Sequence, residues 1–251
     1  MRCFVGFYGL TRSLRYTAPS IHCCIYEPLR QAGIETIRAG HFNLPAAITN
    51  PRSGEFNLKP NRAEVALLDL DLCWIEPQDD AVIQVELEVA EAFGDAIGDG
   101  GRSLANLCHQ LRSLQRLWSL LHLQGVVEDD LVLLLRPDLL YLDPLEPAEH
   151  LTPLREGATD LIVPSWQDWG GLNDRLAFCT RRAAEALASR MAWFIDACAD
   201  LGGMHAECFL KYVVRRTGLR VQQTALRAVR VRANGSIAGN DAILLVGRAA
   251  A

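Results

Sequence analysis

The sequence predicts one α/β domain with a mostly parallel central sheet and helices on both faces of that sheet. Three observations predict this fold class. The chain opens on an apolar strand, a turn, a helix and a second strand, which together begin a parallel α/β unit. Later apolar runs are short and nearly continuous, as in strands that are covered on both faces. Two long segments show the apolar period of amphipathic helices.

The first unit covers about the first 37 residues. Residues 3–8 form the opening strand, and Gly9 ends it. A helix with Thr17 as its N-cap follows, and Pro28 is expected to kink or interrupt that helix. Residues 34–37 begin the second strand. The order strand, helix, strand is the basis for expecting a parallel sheet.

The middle of the chain is less regular. Residues 40–62 carry Pro, Asn, Gly and Ser with little periodicity, which predicts a long loop of the kind that is usually functional. Residues 64–93 mix short apolar runs with acidic residues and fit no single element. Residues 103–124 have regularly spaced leucines with polar residues between them, so they predict a long amphipathic helix.

The second half of the chain alternates short strands with two helices. The last segment is strand-like and basic, and Arg230 and Arg232 alternate there on one strand face, where they could meet a diphosphate or form a solvated face. The predicted strands are 131–135, 139–142, 161–164 and 176–179, and the predicted helices are 181–201 and 206–216.

Composition limits the class of protein. No Pro/Gly/Ser-rich linker divides the 251 residues, so we predict a single domain over 1–251. The net charge of −5 argues against a nucleic-acid partner, and no apolar stretch approaches the ~20 residues of a membrane span. The eight cysteines form no Cys-x-x-Cys pair and no signal peptide is recognisable, so we expect reduced thiols and a cytoplasmic location.

The segment after the strand at 131–135 carries the most chemical information. Arg136, Pro137 and Asp138 follow five apolar residues, at the carboxyl end of a strand, where open α/β sheets bind their ligands. The alternative is that Arg136 and Asp138 form a surface ion pair that contributes little to stability.

The run Leu-Leu-Leu-Arg136-Pro137-Asp138-Leu-Leu-Tyr resembles a segment of GT-A-fold glycosyltransferases, which are related to the Rossmann fold. In that family the strand ends in Asp-x-Asp, and the aspartates hold a divalent metal against the diphosphate of a nucleotide sugar. Arg136 replaces the first aspartate here. The resemblance therefore implies either Mg²⁺ or Mn²⁺ on Asp138, or a diphosphate anchored by Asp138 and Arg136. Asp69 and Asp71 form a literal Asp-x-Asp, but no apolar strand follows them.

Other segments extend the resemblance to bacterial polysaccharide and lipopolysaccharide glycosyltransferases. Gly9 and Arg12 resemble the part that seats the nucleotide, and residues 170–178 are similar to a loop-to-strand segment near the donor sugar and acceptor. Residues 205–207 resemble the C-terminal acidic segment. The candidate catalytic bases are thus Glu207 and Asp174, and the candidate substrate-binding residues are Gly9, Arg12, Arg136, Asp138, Arg175 and His205.

Several of these residues have a structural alternative. Trp166 is a candidate for stacking on a sugar ring, and its alternative is ordinary core packing. The alternative to a functional role for Asp174 and Arg175 is an ion pair between them in a turn. Glu207 would then serve only as an acidic residue that favours a helix N-terminus.

The expected function is the transfer of a sugar from a nucleoside-diphosphate sugar to a hydroxyl of a glycan or a lipid-linked acceptor, in polysaccharide biosynthesis. Residues 1–100 would bind the nucleotide, and 101–251 would bind the metal or sugar and the acceptor. The alternative is a non-catalytic module that binds a nucleotide sugar or a glycan. A Walker A motif, a Gly-x-Gly-x-x-Gly motif and a Gly-x-Ser-x-Gly elbow are missing, which disfavours ATPases, dinucleotide oxidoreductases and hydrolases.

Overall fold

The computed structural model describes residues 2–95 and 97–246 and contains a central sheet of seven strands. Two small sheets of two strands each accompany it within this part of the chain. In chain order the strands are β1 (Arg2–Leu10), β2 (Glu35–Leu44), β3 (Ile48–Asn50), β4 (Glu55–Leu58), β5 (Leu72–Pro77), β6 (Leu131–Leu135), β7 (Leu139–Tyr141), β8 (Leu161–Pro164), β9 (Leu176–Thr180), β10 (Val221–Thr224) and β11 (Ala228–Arg230).

Helices connect most of these strands. None of those within the described residues combines the length and the apolar character that a membrane crossing needs. In chain order they are α1 (Leu14–Ile21), α2 (Glu27–Gln31), α3 (Gln84–Ala92), α4 (Arg102–Leu123), α5 (Pro147–His150), α6 (Thr152–Arg155), α7 (Arg181–Ala188), α8 (Phe194–Leu201) and α9 (Ala206–Thr217).

The central sheet has the strand order β10-β8-β9-β6-β1-β2-β5. β9 is antiparallel to both of its neighbours, and the other neighbouring strands are parallel. The predicted fold class, an α/β protein with a mostly parallel sheet, is therefore confirmed. Because β9 is reversed, its first residue Leu176 lies opposite Leu135, the last residue of β6. The start of β9 thus shares one edge of the sheet with the carboxyl ends of β1 and β6.

Helices cover both faces of the sheet, as the continuous apolar strands predict. On one face Val5 and Phe7 of β1 belong to the same apolar cluster as Ile21 of α1. On the other face Phe4 of β1 packs in a cluster with Leu117 of α4. This alternation along a strand with two buried faces explains why nearly every residue of β1 is apolar.

The antiparallel pair β7 and β11 lies next to the end of β6. Its register places Arg230 opposite Leu139, and the amide of Val231 donates a hydrogen bond to the carbonyl oxygen of Asp138 at 2.8 Å. This pairing brings the basic C-terminal segment, which is distant in sequence, to the Arg-Pro-Asp segment.

Two expected helix boundaries differ in the structure. The first helix begins at Leu14, and Thr17 lies inside it instead of capping it. The buried Thr17 hydroxyl donates to the carbonyl oxygen of Pro137 at 2.7 Å. Pro28 does not break the helical path: it lies in the first turn of α2, where its missing amide costs little, after a π-helical turn.

The predicted helix 181–201 is divided into α7 and α8 by a 3₁₀ turn over Arg190–Trp193. Arg190 is buried at this break and lies 4.0 Å from Asp174, so a long-range contact accompanies the loss of helical periodicity. The loop expected over 40–62 instead contains the end of β2 and the β3–β4 hairpin.

Candidate active site

A cleft of about 790 Å³ opens at the edge of the sheet where β1 and β6 end and β9 begins. Every site residue predicted from the sequence, except Trp166, contributes to its lining. These residues are Gly9, Arg12, Arg136, Asp138, Asp174, Arg175, His205 and Glu207.

Gly9 lies near the carboxyl end of β1 and lines the cleft. Its φ of +103° is a conformation that side chains other than hydrogen rarely allow. Its amide donates a hydrogen bond to the hydroxyl of Ser113 on α4 at 2.8 Å. Gly9 lies within the last part of β1, which continues to Leu10 and leads into the segment with Arg12 in the cleft lining.

Asp138 is held between two guanidinium groups. Arg136 Nε donates to its Oδ1 at 3.1 Å, and Arg12 Nη2 donates to its Oδ2 at 2.6 Å. Burial acts to raise the pKa of the carboxyl, but Arg136 and Arg12 outweigh it, so the pKa of Asp138 lies well below its usual range. The ion pair of Arg136 and Asp138 does form, with Asp138 buried and Arg136 half-buried in the lining of the cleft.

The surroundings of Asp138 do not fit a divalent cation. Both carboxylate oxygens already accept hydrogen bonds from cationic side chains, and a metal ion would be repelled by those same guanidinium groups. No group of three His, Cys, Asp or Glu side chains within residues 2–95 and 97–246 is arranged to hold a metal. A Mg²⁺ or Mn²⁺ ion, the first of the two alternatives for Asp138, therefore does not fit there.

Three more arginines line the cleft together with the two that hold Asp138. We call these five residues the arginine cluster: Arg12, Arg136, Arg175, Arg230 and Arg232. Arg230 forms a two-pronged ion pair with the buried Asp241, at 2.8 Å and 3.0 Å. Arg175 Nη1 lies 3.5 Å from the same carboxylate. Burial and then the neighbouring Arg230 lower the pKa of Arg175 to about 10.

Arg232 is the member of the cluster without a carboxylate of its own. Among the residues that the structure describes it forms no ion pair, and its buried Nε atom has no hydrogen-bond partner. Burial, followed by repulsion from Arg12 and Arg230, lowers the pKa of this guanidinium to about 10. A cation that is partly desolvated and crowded by like charges is stabilised by any anion that enters the cleft.

Glu207 lies in the first turn of α9 and is 8% exposed. Burial, and then repulsion by Asp174, raise its pKa to about 7. A helix N-terminus acting alone would lower the pKa of a carboxyl, so the dipole does not dominate here. His205 Nδ1 lies 3.2 Å from Glu207 Oε2. Glu207 thus has the protonation behaviour of a general base or acid near neutral pH.

Asp174 has different partners. Its Oδ2 accepts a hydrogen bond from Gln110 Nε2 at 3.1 Å and lies 4.0 Å from Arg190 Nη2. Because Arg175 is paired with Asp241, the turn ion pair between Asp174 and Arg175 does not form among the described contacts. The amide and guanidinium groups hold the carboxylate of Asp174, which leaves Glu207 as the better candidate for moving a proton.

The position of Trp166 corrects its assignment as a sugar-stacking residue. Trp166 packs against the core, its Nε1 donates to the carbonyl oxygen of Leu226 at 2.8 Å, and its ring supports the guanidinium of Arg175. The core-packing alternative therefore holds. Trp169, three residues later in the same loop, lines the cleft and is 52% exposed.

The literal Asp-x-Asp at Asp69 and Asp71 lies outside the cleft lining. Both aspartates bind Arg38 on the exterior: Asp69 accepts from its guanidinium and Asp71 accepts from its amide, each at 2.7 Å. These contacts explain the two carboxylates without a ligand.

Sequence reasoning missed four residues that support the site. Glu55 and Asp241 are fully buried carboxylates, and Gln110 and Arg190 are the partners of Asp174. The acidic pair lies in segments without periodicity, so no local pattern distinguishes these residues from surface acids. Of the four, Gln110 is the one that a sequence feature could have identified, because it interrupts the apolar face of α4.

Gly171 allows the start of α9 to approach the loop before β9. A Cβ atom at this position would overlap the backbone of Glu207 and of Cys208. We expect Gly171→Ala to lower the free energy of unfolding by about 1–3 kcal/mol and to displace Glu207, because backbone atoms cannot give way cheaply. Urea denaturation measures the first effect. Gly239→Ala is the control, since nothing lies within 4 Å of its Cβ position; equal stability of the two variants would contradict the packing argument.

No family model matches this sequence, and no curated protein does. Among solved structures, mouse xyloside xylosyltransferase 1 is 14% identical, with 89% of this chain and 85% of that chain covered and a TM-score of 0.40. The galactosyltransferase LgtC, solved with donor and acceptor sugar analogs, is 12% identical over 89% of this chain and 73% of that one, with a TM-score of 0.45.

A putative glucose-1-phosphate thymidylyltransferase from Bacillus anthracis, solved with sucrose, is 9% identical over 92% of this chain and 89% of that one, with a TM-score of 0.42.

Proposed function

We propose that the protein is a glycosyltransferase that moves a sugar from a nucleoside-diphosphate sugar to a hydroxyl group of a glycan or lipid-linked acceptor. One observation carries the proposal: a single cleft holds a surplus of guanidinium groups together with a buried carboxyl whose pKa is near 7. Guanidinium groups recognise phosphate oxygens, and a carboxyl with such a pKa can accept a proton at neutral pH.

In the proposed reaction the acceptor oxygen forms a bond to the anomeric carbon of the sugar. The bond between that carbon and the diphosphate oxygen breaks, and the diphosphate leaves with the bonding electrons. Arg12, Arg136 and Arg232 stabilise the charge that develops on the leaving group. Glu207 accepts the proton of the acceptor hydroxyl, and Asp174 provides a second negative charge beside it. Trp169 offers an aromatic face at the cleft for a sugar ring.

A donor panel tests the proposal. The protein is incubated with UDP- and GDP-sugars, and release of the nucleoside diphosphate is measured with and without oligosaccharide acceptors. We expect slow hydrolysis of at least one donor by water and faster release when a suitable acceptor is present. Binding of donors in calorimetry without any release would instead indicate the non-catalytic binding module.

A further inference from the structure

We infer that the cleft neutralises the donor's diphosphate with guanidinium groups alone, and that donor binding needs no divalent cation. This inference rests on the proposed function, because it identifies the group that takes the place of a metal at the same site. It concerns this chain's own residues, and it favours a diphosphate anchored by arginines over a metal ion on Asp138.

The first support is the charge balance of the cluster. Its five guanidinium groups are accompanied by three carboxylates, Glu55, Asp138 and Asp241, so the described cluster has a formal surplus of two positive charges. A nucleotide sugar carries one negative charge on each of its two phosphates. The diphosphate alone therefore balances the surplus. A divalent cation would double that surplus, so two positive charges would remain uncompensated after the donor binds.

Asp174 and Glu207 are two further carboxylates of the cleft lining, outside the arginine cluster. Asp174 lies beside Arg190, which supplies a separate positive charge. Burial raises the pKa of Glu207 to about 7, and its Oε2 lies 3.2 Å from Nδ1 of His205, which is not part of the arginine cluster. Counting Asp174 together with Arg190 therefore leaves the formal surplus of two positive charges unchanged.

The second support is a set of guanidinium nitrogen atoms that have no hydrogen-bond acceptor. Buried nitrogen atoms of Arg12 (Nε), Arg175 (Nη1) and Arg232 (Nε) form no hydrogen bond, and all three residues line the cleft. The side chains of Arg12 and Arg175 are 10% and 3% exposed, so water reaches them poorly. Buried donors without acceptors are costly and rare in folded proteins. Phosphate oxygens accept hydrogen bonds from guanidinium groups in a matching planar geometry.

The third support is the state of Asp138, the one acidic position kept from the family motif. Mg²⁺ requires several oxygen ligands in near-octahedral geometry. Asp138 offers both of its oxygens to Arg12 and Arg136 instead, and so it fixes the orientation of two guanidinium groups. In this arrangement Asp138 is a positioning residue for the arginines.

Calorimetric titration with UDP and GDP tests the inference, in EDTA and in Mn²⁺, with UMP and GMP for comparison. We expect one diphosphate to bind with the same affinity in both buffers and more tightly than its monophosphate. Arg232→Gln should weaken that binding about 10- to 100-fold in EDTA, the loss expected for one charged hydrogen-bonding group. Arg232→Lys, which keeps the charge but loses the planar fork, should lie between the two.

Arg30→Gln is the control, since Arg30 pairs with Glu27 on an exposed helix and is absent from the cleft lining. It should bind as the wild type does. Binding that appears only with Mn²⁺, or that is unchanged in Arg232→Gln, would overturn the inference and leave a metal-dependent or differently anchored transferase. Failure of both nucleoside diphosphates to bind in either buffer would overturn the proposed function as well.

Discussion

Replacing Glu207 by Gln is expected to lower the rate of sugar transfer about 10²- to 10⁴-fold, the contribution of a positioned general base. The amide keeps the size of the side chain but cannot accept the proton of the acceptor hydroxyl. Donor binding should change little, because the diphosphate is proposed to bind at the arginine cluster. Steady-state kinetics with donor and acceptor varied separately would show a fall in kcat without a matching rise in the donor KM.

The same substitution should change how activity depends on pH. Glu207 is active as a base when it is deprotonated, and its pKa is about 7. In the wild type kcat/KM should therefore rise as the pH increases through about 7 and then level off. The residual activity of Glu207→Gln should lack this inflection. An unchanged pH profile in the variant would assign the proton transfer to another group.

As the pH rises, the stability of the wild type should fall while its activity increases. The folded-state pKa of Glu207 is above its ordinary value of 4.5, so the folded protein binds more protons than the unfolded chain between pH 4.5 and about 7. The free energy of unfolding then falls as the pH rises through this window. A shift of this size corresponds to about 3 kcal/mol.

Glu207→Gln removes that penalty. We expect the variant to be more stable than the wild type at pH 8 by up to ~3 kcal/mol and equal to it near pH 4. Urea denaturation at both pH values measures the difference. Glu156→Gln changes an exposed carboxyl outside the cleft lining and is the control. It should show no such gain in stability at pH 8. A variant that gains stability while it loses turnover would show a carboxyl retained for function at a cost to the fold.

The part of the site that follows strands was predictable from the sequence. The apolar run at 131–135 ends abruptly in Arg136, and β1 ends in the same way before Arg12. Because parallel strands end at one edge of the sheet, these two segments had to lie close together. The single reversed strand β9 then places Asp174 and Arg175 at the same edge, since it begins where its neighbours end.

The choice of partners inside the cleft was not predictable. Asp138 binds Arg12, which is 126 positions away in the sequence, and nothing in the Arg-Pro-Asp pattern indicates that contact. A single carboxylate after a strand is as compatible with a metal as with an arginine. Trp166 and Trp169 likewise have the same local chemistry, and only the tertiary path of their loop separates the core residue from the cleft residue.

Replacing Asp138 by Asn is expected to abolish transfer and to lower the free energy of unfolding by ~3–5 kcal/mol. The buried carboxylate is the shared partner of Arg12 and Arg136. Its loss leaves Arg136 without its ion-pair partner and Arg12 with only Glu55, 3.6 Å away. The pKa of Asp138 lies well below its usual range, so the pair is ionised throughout the neutral range and the loss should be the same at pH 6 and pH 8.

Asp69→Asn is the matched control. Asp69 also binds an arginine at 2.7 Å, but its side chain is 71% exposed, so its ion pair should contribute less than about 1 kcal/mol. The two variants undergo the same chemical change, and they differ in burial and in position relative to the cleft. Asp69→Asn should retain full donor turnover, which also tests the literal Asp-x-Asp as an alternative site.

Ligand addition separates the two roles that the sequence left open for Asp138. If Asp138 positions arginines, a nucleoside diphosphate should restore part of the stability of Asp138→Asn in EDTA, because the incoming phosphates replace the missing negative charge. If Asp138 held a metal, Mn²⁺ alone should raise the melting temperature of the wild type and have no effect on the variant. Thermal denaturation of both proteins with each ligand decides between these outcomes. Stabilisation by the diphosphate would mean that uncompensated positive charge on the arginines weakens the variant and also drives donor binding in the wild type.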